Sequence, residues 1–159
     1  MRVISQSTLD PHAGAADKSV FGSGDGRVLE LGCGLGVAGI AAAMCGCRVL
    51  LTDTHGFALS ACNDAIRINA DRLTRSSSAR AFVNGGHVES IGEFLKASEA
   101  CGRSRSGQAC TMHLDWNDVP VLAPPERFSC IIAADVIHEA QHAHLVSKVI
   151  RVRDHDQFF

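Results

Sequence analysis

A short apolar run that breaks into alternating glycines, Val28-Leu29-Glu30-Leu31-Gly32-Cys33-Gly34-Leu35-Gly36, is the part of this sequence best suited to chemistry. Glycines allow backbone conformations and a close approach that a Cβ blocks, and a helix opening directly after them presents unsatisfied N–H donors. A nucleotide-like cofactor needs both. Asp53 closes the next apolar run, Arg48-Val49-Leu50-Leu51-Thr52-Asp53, where a carboxylate can accept hydrogen bonds from both hydroxyls of a ribose. Gly34-Leu35-Gly36-Val37-Ala38-Gly39 is also a literal G-x-G-x-x-G, so a dinucleotide fold competes. Glu30 weighs against it: a carboxylate inside the first strand can meet a cationic amino-acid moiety but sits badly beside a pyrophosphate. Glycines at a strand-to-helix turn can also serve packing alone.

Further along, Leu114-Asp115-Trp116 ends a segment of strand character. The flat face of Trp116 suits a purine, Asp115 can accept from an adenine amino group, and the competing reading of Trp116 is a partly buried core aromatic. Asp135 ends another apolar run and is followed by His138, which as a neutral imidazole can orient an amine or can serve as a satisfied polar residue at a strand exit. His138-Glu139-Ala140-Gln141-His142 matches H-E-x-x-H, the zinc-hydrolase signature. That signature needs one continuous helix, whereas residues 128–137 have a buried-strand pattern, and only Asp154, His155 and Asp156 follow as third ligands. No metal site is expected. Cys45 and Cys47 lack a second ligand pair and read as small buried residues at a helix-to-strand turn.

The elements that would position these groups alternate. Strand 27–31 precedes a helix over 37–45, strand 48–53 precedes a helix to about residue 69, and further strands fall at 109–116 and 127–135 before a helix over 140–152. This order predicts a doubly wound parallel α/β sheet with right-handed crossovers and helices on both faces. Residues 1–26 are expected to be a flexible lead-in. Residues 71–108 are expected to be an inserted surface excursion with a short helix at about 90–100, since long loops are uncommon in compact domains. The length of 159 residues with 46% hydrophobic content suits one globular domain, and a net charge of −2 gives no reason to expect nucleic acid or an anionic membrane as partner. No apolar run approaches the ~18 residues needed to span a bilayer, and seven scattered cysteines read as reduced core thiols, which points to the cytoplasm or nucleus.

Taken in order, the glycine segment, Leu51-Thr52-Asp53, Leu114-Asp115-Trp116 and Ile132-Ala133-Ala134-Asp135-Val136-Ile137-His138 resemble the protein-lysine branch of the seven-β-strand methyltransferases, methyltransferase family 16. The resemblance implies a Rossmann-like, class I methyltransferase fold that binds S-adenosylmethionine and methylates a lysine side chain of another protein. It implies that Gly32, Cys33 and Gly34 line the methionine moiety and that Asp53 holds the ribose; Glu30 and Gly36 in the same segment are also expected to bind the cofactor. Trp116 would pack near the adenine with Asp115 beside it, Ala134 would contact the cofactor through its backbone, and Asp135 and His138 would face the substrate amine. The family has an aromatic, usually Tyr, where this chain has His138. The sequence stops one helix after the fourth strand, so the sheet is expected to be incomplete at its C-terminal end, lacking strands five to seven. The alternative reading is a catalytically inactive cofactor-fold fragment or interaction module. Nothing in the residues addresses oligomeric state.

Overall fold

A computed structural model describes residues 26–73, 86–100, 107–118 and 128–151. All but the last residue of the expected lead-in, and the charged residues 152–159, lie outside that set. The first apolar run forms strand β1, Arg27–Leu31, followed by helix α1, Val37–Met44, strand β2, Arg48–Asp53, and helix α2, Gly56–Ile68. A single turn of helix, α3, Ala70–Leu73, precedes helix α4, Ile91–Ala100, and strand β3, Gln108–His113. A 3₁₀ turn at Trp116–Asp118, strand β4, Cys130–Ala133, and helix α5, Ala140–Arg151, complete the described chain.

The four strands form one parallel sheet in the order β3-β2-β1-β4. Because successive strand residues point to opposite faces, each apolar run feeds two cores. Val28, Val49, Leu51, Ala109 and Cys130 meet Ile40, Ala42 and Ala43 of α1 and Leu59, Cys62 and Ile66 of α2. Leu29, Leu31, Leu50, Cys110 and Met112 face the other way, onto Ile91, Phe94 and Leu95 of α4 and Val146 and Val149 of α5. Helices therefore cover both faces, as the alternation predicts, in a Rossmann-like arrangement.

Two expectations change. The excursion expected on the surface contributes α4 to the core, with Phe94 fully buried and stacked on Phe128 at a centroid distance of 5.7 Å. Ile91, Phe94 and Leu95 supply an apolar stripe at helical spacing, which the polar residues around them obscure. The last two strands are shorter than expected: β3 ends at His113, leaving Trp116 in the 3₁₀ turn, and β4 ends at Ala133. Asp135 then takes a left-handed backbone, φ +54°, which cannot continue a strand.

Chain order makes β1 the pivot. β2 and β3 are laid down on one side of it and β4 returns to the other. The loops leaving the C-terminal ends of β1 and β4 consequently diverge onto opposite faces, and an open α/β sheet has its ligand crevice where they part.

Candidate active site

A cavity of about 660 Å³ opens at that point. Every strand contributes the residues just past its C-terminal end: Gly32, Cys33 and Gly34 after β1; Asp53, Thr54 and His55 at β2; Leu114, Asp115, Trp116 and Asn117 after β3; Ala134, Asp135 and Val136 after β4. His138, His142 and Leu145, at the entry and first turns of α5, close the remaining side. Nine of the eleven residues assigned to the site from sequence thus converge on one cavity.

The glycine turn is tied down by backbone hydrogen bonds. The Cys33 N–H donates to the Thr52 carbonyl at 2.9 Å and the Gly36 N–H to the Cys33 carbonyl at 2.7 Å. Gly32 has φ +59°, and a Cβ there would meet Val136 Cγ1 at 2.9 Å and Trp116 Cζ2 at 3.3 Å, so the missing side chain is what lets the cavity wall close on the turn. Gly34 faces open space, with nothing within 4 Å of a Cβ.

Asp53 is joined to this turn. Its Oδ2 accepts the Gly34 N–H at 3.0 Å, and its Oδ1 accepts the His55 N–H at 2.9 Å and lies 3.2 Å from His55 Nδ1. Burial pushes the Asp53 carboxyl up, but the hydrogen bonds from His55 and Gly34 outweigh it and hold the group below the usual carboxylate range. An ionised acceptor is therefore fixed beside the turn. By lone-pair count Oδ2 can accept one hydrogen bond besides that of Gly34, whereas Oδ1 is shared by the backbone and the exposed ring of His55.

Across the cavity, the Trp116 ring meets the His142 ring edge-on at 6.0 Å and 87°. Asp115 Oδ1 takes both Asn117 donors, the backbone N–H at 2.8 Å and Nδ2 at 2.9 Å, and these bonds hold its carboxyl low. The left-handed Asp135 is exposed into the cavity, and Asp tolerates that conformation better than most side chains. The His138 N–H donates to His142 Nδ1 at 3.4 Å, and the two rings stand perpendicular at 6.1 Å. Helix α5 begins only at Ala140, so His138 lies outside it and the two histidines do not share a helical face as a zinc motif requires. Among the described residues, no group of three or more His, Cys, Asp or Glu is arranged to hold a metal.

Two assignments from sequence do not reach the cavity. Glu30, 3% exposed, points from β1 toward α1, where Oε2 accepts the Gly39 N–H at 2.9 Å. Burial pushes its carboxyl up to about 7, against the lowering effect of that hydrogen bond. Strand alternation explains the placement: Glu30 shares a face with Val28, and that face belongs to the helix. Gly36 is the left-handed N-cap of α1, φ +71°, where a Cβ would meet Cys62 Sγ and Leu51 Cδ2 at 2.7 Å, so it serves packing. Conversely, His55, Asn117, His142 and Leu145 line the cavity without having been assigned to it. For His142 the H-E-x-x-H match drew attention to the right residue for a different chemistry.

The lining carries three carboxylates, Asp53, Asp115 and Asp135, and three imidazoles, but neither lysine nor arginine among the described residues. Such a cavity favours a cation and offers a pyrophosphate no counter-charge.

Residues 13–89 match the model of a family described as lysine methyltransferase. That segment holds the glycine turn and Asp53; Trp116, Asp135 and His138 lie beyond it. No curated protein and no solved structure matches the chain.

Proposed function

We propose that the chain, whose residues 13–89 match the lysine methyltransferase family model, binds S-adenosylmethionine in the cavity at the β1/β4 switch point and transfers its methyl group to a lysine side chain of a protein substrate. The observation that carries this reading is the cation-favouring lining built around an ionised Asp53 held by the glycine turn. The site fits the cofactor: Gly34 puts no side chain into the cavity, Asp53 has acceptor capacity for ribose hydroxyls, and Trp116 offers an aromatic wall for adenine. Asp115 keeps Oδ2 for the adenine amino group while Oδ1 is held by Asn117. Ala134 and Cys33 line the same cavity and would contact the cofactor, Ala134 through its backbone and Cys33 beside the methionine portion.

When bound, the cofactor supplies an electrophilic methyl group on a sulfonium. The chain's own residues bring a nucleophile to it. Asp135 and Asp115 attract the lysine cation into the cavity, and the His138 imidazole orients the amine and accepts its proton, so that attack proceeds from a near-attack geometry. Positioning supplies most of the acceleration, and no metal is used. Among the described residues no helix is long and apolar enough to cross a membrane, and the compartment we propose is the cytoplasm or nucleus.

Calorimetry with S-adenosylmethionine tests the binding step. Removing the ribose acceptor forfeits charge-assisted hydrogen bonds of about 1.5–3 kcal/mol each, so Asp53→Ala is expected to weaken binding ~100-fold. Folded protein that binds no cofactor, or binds it equally well after Asp53→Ala, would overturn the reading. Transfer of labelled methyl from the cofactor to acceptor proteins, followed by hydrolysis to amino acids, identifies methyl-lysine and sets the enzyme apart from a silent cofactor-fold module.

A further inference from the structure

Cys33 and Cys62 are neighbours only in space. Cys33 sits in the glycine turn and lines the cavity, whereas Cys62 lies on the buried face of α2, yet their sulfurs are 3.7 Å apart. The Cys62 S–H donates to the Gly34 carbonyl at 3.2 Å, so the same thiol also holds the turn that carries the cofactor site. Cys62 has no exposed surface, and Cys33 retains 8%, on the cavity side. Any small reagent therefore reaches Cys33 first, through the space S-adenosylmethionine would fill.

We infer that Cys33 and Cys62 are an oxidation site of this protein, closing to a disulfide that distorts the glycine turn and lowers cofactor affinity. The oxidant is a peroxide. Cys33 attacks the O–O bond, which breaks to leave Cys33 as a sulfenic acid and release water from hydrogen peroxide. The Cys62 sulfur then attacks the sulfenic sulfur, the S–S bond forms, and the hydroxyl leaves with the Cys62 proton as a second water; the two thiols lose two electrons and the peroxide gains two. The hydrogen bond between the sulfurs holds the Cys33 thiol up and brings Cys62 down, so the first step is slow and is set by the access of peroxide to Cys33, while Cys62 is the readier thiolate for the resolving step.

Closure changes the site in two ways. The sulfurs approach by about 1.6 Å, from 3.7 Å to a covalent bond of about 2.05 Å. Cys62 simultaneously loses the proton it donates to the Gly34 carbonyl, leaving that carbonyl without its S–H partner. α2 is anchored by Leu59 and Ile66 in the core, so the turn yields rather than the helix. The bound cofactor would shield Cys33; this arm rests on the function proposed above.

The experiment uses the reduced full chain treated with hydrogen peroxide, then alkylated and mapped by peptide mass. The expected result is a Cys33–Cys62 linked peptide lighter by two hydrogens, S-adenosylmethionine affinity at least tenfold weaker by calorimetry, recovery on adding dithiothreitol, and slower linking when the cofactor is present. Cys62→Ser, which keeps a donor for the Gly34 carbonyl, is expected to form no link and to lose no affinity through this pair; Cys62→Ala serves if the serine variant does not fold. Oxidation of Cys33 to sulfinic acid without linkage, or a linked protein that binds as tightly as the reduced one, would overturn the inference. Reduced protein that binds no cofactor would instead sink the methyltransferase reading, and the linked peptide alone then decides the oxidation site.

Discussion

Glu30→Gln is expected to stabilise the protein at alkaline pH and to leave it nearly unchanged near pH 5. Glu30 is buried under α1, and its carboxyl stands at about 7 instead of 4.5 because desolvation penalises the charged form more than the Gly39 N–H rewards it. Below about pH 4.5 the group is protonated in both folded and unfolded chains and has no effect on stability. Between about 4.5 and 7 the unfolded chain releases its proton while the folded chain keeps it, so the wild type loses stability as pH rises. Above about 7 the full penalty applies. At about 1.4 kcal/mol per pH unit, the interval corresponds to about 3 kcal/mol. Glutamine keeps an acceptor for the Gly39 N–H but buries an amide without an evident partner, at about 1 kcal/mol or somewhat more. The net gain at pH 8 is then about 1–2 kcal/mol, or roughly 2–8 °C in Tm for a chain of this size. Urea unfolding of both proteins at pH 5, 6, 7 and 8 measures it. A difference between variant and wild type that stays constant over that range would refute the reasoning, because only a titrating group makes it grow with pH. A cation bound above the turn favours ionised Glu30, so cofactor binding near neutral pH is expected to release a proton from the wild type and not from Glu30→Gln; calorimetry in buffers of different ionisation enthalpy counts that proton.

The two positive-φ glycines of the turn separate strain from contact. Gly32→Ala adds a Cβ against Val136 and Trp116 to a left-handed penalty of about 1–2 kcal/mol, whereas Gly34→Ala carries the penalty alone. Thermal unfolding is expected to rank Gly32→Ala as the less stable, and equal Tm values would count against the packed wall described here. His138→Ala is expected to lower kcat/KM for methyl transfer by ~100-fold with cofactor affinity unchanged, the low end of the range of general acid–base effects. An equal loss of cofactor affinity would place His138 with the cofactor instead.

Much of the fold was legible because its signals are local. The apolar runs of β1 and β2 are stopped by glycines or an acid, and their bounds agree with the sequence reading. Asp53, Trp116 and Asp135 are brought together by the resemblance of their motifs to one family, and they share a cavity because in a parallel sheet strand ends converge whatever the loop lengths. What was not legible depends on which face a side chain takes. Glu30 is one residue from the turn, but the pleat, fixed only when α1 covers Val28, directs it away from the cavity. Helix α4 is expected at about residues 90–100, but its place in the core was hidden for the opposite reason: its three apolar core residues lie among Gly, Glu, Lys and Ser, which dilute the apolar stripe. His142 was visible only as half of a metal motif, since its place beside Trp116 is set by the docking of α5 on the sheet.

The pairing of β4 on β1 has a bearing on how the molecule is made. Ser129 reaches back to the Arg27 carbonyl across 102 residues, the longest-range hydrogen bond named here, while β2 joins β1 after a single helix. Loop-closure entropy rises with the length of chain to be brought together, so β4 is expected to be the last strand to dock and the slowest to form. The crevice between β1 and β4 then does not exist until β4 has docked. A ligand held there binds only the chain with β4 in place and draws the folding equilibrium toward it by mass action.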